Sequence, residues 1–110
     1  MKAGTLEVLN RLSETLLARR HADPSTSYTA SLFAKGPDAI LKKIGEESAE
    51  LIMAANDGKR LAIVNEATDV VYHILVLMAF FDLSADDILQ ELHRREGISG
   101  IDEKRARSTS

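Results

Sequence analysis

The chain has 110 residues, 45% of them hydrophobic and 28% charged, the composition of one small globular domain. Its 14 basic and 17 acidic side chains leave a net charge of −3, which argues against a nucleic-acid-binding coat. The absence of cysteine excludes a disulfide scaffold and any thiolate-held zinc or iron–sulfur centre.

Helix formers dominate, and runs of β-branched residues with period-two alternation are scarce. Leu6, Leu9, Leu12, Leu16 and Leu17 recur at helical spacing and predict a first helix from about Thr5 to Arg20. Glu7, Asn10, Arg11, Ser13 and Glu14 interrupt those leucines, so the stretch does not read as a signal peptide. Asp23-Pro24-Ser25-Thr26-Ser27 has loop composition, and a short helix over Ala30 to Lys35 is expected to stop at Gly36. Pro37 and Asp38 suit a first helical turn, opening a long second helix that ends at Asn56-Asp57-Gly58. A third helix is expected from Lys59 to Phe81. Its longest apolar run, Val70 to Phe81, has 12 residues including His73, against the ~20 that a bilayer span needs. It therefore reads as a buried helix and not a membrane segment. Ser84-Ala85-Asp86-Asp87 has capping-box form and opens a fourth helix to about Glu96, ended by Gly97, Ser99 and Gly100.

The third helix is apolar nearly all round, so either the other helices wrap it or a second subunit covers it. The expectation is an all-α bundle of four to five helices around a central antiparallel hairpin, completed by homodimerisation. Residues 1–97 would form the domain, and residues 98–110 a polar tail, partly disordered. The basic stretch Lys104-Arg105-Ala106-Arg107 fits a disordered end or an arm reaching a partner's site. Cytoplasmic location is expected, with neither nucleic acid nor membrane as partner.

Five carboxylates stand out. Glu46, Glu47 and Glu50 share one face of the second helix, and Glu66 and Asp69, three apart, share one face of the third. Glu50 lies eight residues before Gly58 and Glu66 eight after; Glu47 lies eleven before and Asp69 eleven after. In an antiparallel hairpin such positions face each other, roughly 12 Å and 16 Å from the turn. Each carboxylate pair would repel by about 1–3 kcal/mol at an effective dielectric near 20. A hard divalent cation that keeps open positions for phosphate oxygens would neutralise the cluster. The competing reading is a solvated acidic face balanced by Lys42, Lys43 and Lys59. A di-iron site is disfavoured because no Glu-x-x-His occurs; His73 reads as a core histidine with satisfied nitrogens, not a ligand.

Glu46-Glu47-Ser48-Ala49-Glu50 followed by Glu66-Ala67-Thr68-Asp69 resembles the all-α nucleotide pyrophosphohydrolase superfamily that includes MazG. Three flanking stretches, SYTASLFAKG from Ser27 to Gly36, ILKKIGEESAE from Ile40 to Glu50 and RREGISGIDEK from Arg94 to Lys104, are similar to the phosphoribosyl-ATP pyrophosphohydrolases. The likeness spans Thr5 to Lys104; Phe33 and Ser48 are mild variations on that family's usual residues. It implies nucleotide binding and hydrolysis of phosphoribosyl-ATP to phosphoribosyl-AMP and pyrophosphate, the second step of histidine biosynthesis. Glu47, Glu50, Glu66 and Asp69 would hold Mg2+, with Mn2+ as a substitute. Glu46 and Glu47 are the catalytic candidates, Glu46 for orienting the attacking water or taking its proton. Lys35, Lys43, Arg94 and Arg95 are the candidates for the substrate's phosphates, and Tyr28 for stacking on its base. Two other readings stay open: a house-cleaning hydrolase of (deoxy)nucleoside triphosphates, and a helical dimerisation module whose acidic face binds a basic partner.

Overall fold

The computed structural model describes residues 3–109, leaving aside the side chains of residues 3–6, 103, 108 and 109; Leu6, counted in the expected first helix, is one of these. Six helices follow one another among the described residues: α1 (Ala3–Arg19), α2 (Tyr28–Lys35), α3 (Pro37–Asp57), α4 (Arg60–Phe80), α5 (Ala85–Arg94) and α6 (Gly100–Thr109). Among the described residues there is no strand, so the all-α expectation holds. The element beyond the expected four to five is α6, formed from the segment read as tail.

Local chemistry sets most boundaries. Ser27 precedes α2 in extended conformation and accepts the Ala30 N–H on its side chain, so α2 begins two residues before the loop composition suggested. Gly36 adopts φ 94° between α2 and α3, and Pro37 occupies the first turn of α3. Gly58 is left-handed at φ 68°, and its N–H closes α3 on the carbonyls of Ala54 and Ala55. Only Gly58 and Lys59 separate α3 from α4, so the two 21-residue helices pair antiparallel along their length. At α5, Asp87 accepts the Ser84 N–H at 2.9 Å, while the buried Ser13 hydroxyl of α1 accepts the Ala85 N–H, also at 2.9 Å.

The core lies where α1, α2, α3 and α4 meet, around Leu16, Leu32, Phe33, Ile40, Leu75, Val76 and Ala79, with Ala85 closing it from α5. Within one chain the Val70 to Phe81 stretch is buried only in part. His73, Leu75, Val76 and Ala79 are buried, but Val71 and Phe81 are exposed, and further up α4 Leu61 is 82% exposed. One chain covers one side of α4, because α1 and α3 flank it and α5 packs chiefly on α1. Ile52 and Met53 of α3 are exposed as well. By length and composition α4 could cross a membrane, since polar residues upstream of Val70 are too few to lower the average over a longer window. The radius of gyration is 16.1 Å, against the ~13 Å of a closed globule of this length, in keeping with an open array of helices.

Candidate active site

The hairpin brings the carboxylates together in the register set by Gly58. Glu47, Glu66 and Asp69 each present one oxygen to a common space, and these three atoms lie within 4.8 Å of one another. Glu50, one turn closer to Gly58, meets Glu66. The hydrogen bond available between their carboxyls is the largest influence holding the Glu66 carboxyl above the usual carboxylate range, followed by burial and by the charges of Glu50, Glu47 and Asp69. A solvated acidic face would not place a carboxylate in the interior, yet Glu47 is only 8% exposed. Its Oε1 lies 3.8 Å from Lys43 Nζ. Glu47 Oε2 and Glu66 Oε2 are buried without a hydrogen-bond partner.

An ionised oxygen removed from water and lacking a donor costs more than the ~1–3 kcal/mol of a neutral unsatisfied group. A cation meets that demand. The donor set is entirely carboxylate oxygen on two helices, which suits hard ions. Glu47, Glu66 and Asp69 could thus hold a metal ion. Glu46 lies at the cluster's edge, 46% exposed at the side chain, with Oε2 3.8 Å from the same Lys43 nitrogen. Of the three lysines considered as counter-charges, Lys43 alone is ion-paired among the described residues; Lys42 and Lys59 are exposed.

Ser27-Tyr28-Thr29 docks α2 beside this cluster with all three hydroxyls engaged. Ser27 caps the helix, Tyr28 Oη lies 2.9 Å from His73 Nε2, and Thr29 Oγ1 hydrogen-bonds Tyr72 Oη. His73 Nδ1 lies 2.8 Å from the Asp69 carbonyl oxygen. A carbonyl can only accept, which assigns the proton to Nδ1 and leaves Nε2 to accept from Tyr28. His73 is therefore the core histidine with satisfied nitrogens that its apolar neighbours suggested. Tyr28 and Lys43 sense each other. Partial burial pushes the Tyr28 phenol up against the opposing pull of Lys43, and Tyr28 is the first cause raising the Lys43 ammonium, with Glu46, Glu47 and Glu50 adding to it.

The sequence profile of phosphoribosyl-ATP pyrophosphohydrolase matches residues 9–96, which include every one of these side chains. The chain belongs to that family. It is 70% identical to the phosphoribosyl-ATP pyrophosphatase of Dechloromonas aromatica over 106 residues, 96% of this chain and 98% of the relative. It is 56% identical to the enzyme of that name from Aromatoleum aromaticum over 105 residues, covering 96% and 97% of the two chains. Against that of Azoarcus sp. it is 57% identical over 102 residues, 93% and 95% of the two.

The remaining candidates of this pyrophosphohydrolase family member lie apart from the hairpin seam. Lys35 is exposed in the last turn of α2. Arg94 and Arg95 sit at the end of α5, both on Glu91: Arg94 Nη2 at 2.7 Å and Arg95 Nε at 3.1 Å. Those guanidinium groups drive the Glu91 carboxyl down from 4.5 to about 2. Thr29 and Tyr72 carry a docking contact that sequence reading did not single out. The available signal was two adjacent hydroxyl residues in one helix and two adjacent polar aromatics, Tyr72 and His73, one turn beyond Asp69 in another.

Proposed function

We infer that the chain hydrolyses the α–β phosphoanhydride of phosphoribosyl-ATP, giving phosphoribosyl-AMP and pyrophosphate, the second step of histidine biosynthesis. The observation that carries this is the coincidence of the family match over residues 9–96 with a partly buried, under-compensated carboxylate cluster inside it. Glu47, Glu50, Glu66 and Asp69 are the ligands for Mg2+, with Mn2+ able to replace it. The chemistry such an ion would supply there is neutralisation of charge on the phosphates.

The chain's own groups do the rest. Glu47 fixes the site from the buried side, and Glu46 at its edge orients the attacking water and takes its proton. Lys43, between Glu46 and Tyr28, donates to a phosphate oxygen. The Tyr28 ring, in a residue 53% exposed, offers a stacking face for the base. Lys35 and the Arg94–Arg95 pair supply further cations for the phosphates. Residues 1–97 carry the chemistry, and residues 98–110 are an appendage ending in α6. The enzyme is a cytoplasmic homodimer whose second subunit covers the apolar side of α4 left open by one chain, a reading supported by the exposure of Leu61, Val64 and Val71.

Phosphorus NMR of the purified protein with magnesium tests the substrate, with phosphoribosyl-ATP beside parallel tubes of ATP, dUTP and dCTP. Pyrophosphate is expected from phosphoribosyl-ATP alone; release from a nucleoside triphosphate instead would transfer the same site to a house-cleaning role. Light scattering is expected to give about twice the 12.1 kDa chain mass, and a monomer at micromolar concentration would overturn the dimer.

A further inference from the structure

His73 is only 6% exposed and ionisable, yet the hydrolysis as derived gives it no task. Its surroundings are specific. The Nδ1–H bond to the Asp69 carbonyl fixes the ring from inside its own helix, one turn beyond a metal-ligand candidate. The ring stands edge-on to both tyrosines, with centroids 6.0 Å from Tyr28 at 87° and 5.5 Å from Tyr72 at 82°. Its outward nitrogen accepts the hydroxyl of Tyr28, a residue whose body is half in solvent.

An exposed tyrosine held only at its backbone samples several rotamers and must be ordered before it can bind anything. Here the far end of the ring is tied to a rigid acceptor in the core. The neighbouring Thr29–Tyr72 bond docks α2 on α4 independently, so the Tyr28–His73 bond is not needed to seat the helix. What it adds is the direction of the Tyr28 ring relative to Lys43, Glu46 and Glu47, the groups whose charges reach the Tyr28 hydroxyl.

We propose that His73 is a positioning residue that accepts the Tyr28 hydroxyl and so holds the exposed ring, before substrate arrives, where it stacks on the substrate's base. This rests on the reading above that Tyr28 contacts the substrate. Preorganising a contact side chain strengthens binding without touching the bond that breaks, so the effect belongs mainly in KM.

The test compares Tyr28→Phe, His73→Asn, their combination, His73→Gln and Tyr28→Ala by steady-state kinetics on phosphoribosyl-ATP. Asparagine keeps a donor near the Nδ1 position but cannot reach Tyr28, whereas glutamine places an acceptor near the Nε2 position. Tyr28→Phe and His73→Asn are each expected to raise KM about three- to tenfold, the scale of one hydrogen bond, with kcat changing less. The double variant should be no worse than either single, and His73→Gln should restore most of the loss. Equal effects of the Asn and Gln variants, or multiplying effects in the double variant, would overturn the proposal and leave His73 a packing residue. An unchanged KM in Tyr28→Ala would overturn it together with the stacking role. A raised KM in Tyr28→Ala alone would overturn it and leave that role standing. A readout independent of turnover uses the two tyrosines of the chain: with 13C at the ring carbon bearing the hydroxyl, the Tyr28 signal should move in His73→Asn and return in His73→Gln. A Tyr28 signal unmoved by His73→Asn overturns the proposal whatever the substrate proves to be.

Discussion

Replacing Glu47 with glutamine keeps its shape and removes one charge from the middle of the cluster. Without a divalent cation, the ligand oxygens of Glu47, Glu66 and Asp69 are no more than 4.8 Å apart. At an effective dielectric of ~20, Glu47 feels about 3 kcal/mol of repulsion from each neighbour before screening. Lys43, 3.8 Å away, returns about 4 kcal/mol on the same scale. Two repulsions outweigh one attraction, and because Asp69 is exposed and Lys43 partly so, screening reduces the difference to ~1 kcal/mol in favour of glutamine. Glu47→Gln should therefore melt about 4–6 °C above the parent in EDTA, followed by far-UV circular dichroism. Magnesium at tenfold over its Kd should stabilise the parent by ~1.4 kcal/mol and the variant by much less, reversing the order. A variant that melts below the parent in EDTA would show that the Lys43 pair dominates. One that keeps the parent's full magnesium response would remove Glu47 from the ligand set. Either result refutes the reasoning.

Alanine at Glu50 or Asp69 should lower turnover at least about a hundredfold with an unchanged far-UV spectrum; a variant with near-parent rate would strike that residue from the site. Ser13→Ala strands the buried Ala85 N–H, and urea unfolding should show a loss of about 1–3 kcal/mol with an unchanged slope. The Glu91 carboxyl, held at about 2 by Arg94 and Arg95, lies below its unfolded value. Its stabilising effect should be complete above about pH 4.5 and fade as the pH falls toward 2, visible as a carboxyl NMR midpoint near 2 and absent from acid titration of Glu91→Gln. A Glu91 midpoint at the ordinary value would mean that the arginine fork is not formed in solution.

Much of this fold could be read from punctuation. Gly36, Pro37, Gly58 and Ser84 each force or favour one backbone state, and the helices between them begin and end within a residue or two of where those states require. The carboxylate pairs were legible for the same reason, since equal distances from Gly58 become contact once the turn is tight. The α6 helix was not legible. Gly100–Thr109 has no apolar face, and only the propensities of its Glu, Lys, Arg and Ala residues favour a helix. Which side of α4 one chain leaves open was hidden too, because a helix that is apolar nearly all round marks no single face for its neighbours to cover. The Tyr28–His73 bond joins residues 45 apart in sequence, and nothing in either residue's neighbourhood specifies the other.

The two-residue link at Gly58 and Lys59 has a consequence for how this chain tolerates change in length. With only two link residues to absorb it, a residue added there and taken up into the first turn of α4 would turn that helix by ~100° and shift it ~1.5 Å along its axis relative to α3. One insertion would carry Glu66 and Asp69 off the seam while leaving both helices intact, giving a folded protein with its acidic set dispersed. The segment between α1 and α2 bears no such constraint, because Ser27 restarts the next helix wherever the loop delivers it. Libraries that vary loop length should therefore recover active members with insertions between Arg20 and Thr26 and none between Asp57 and Arg60.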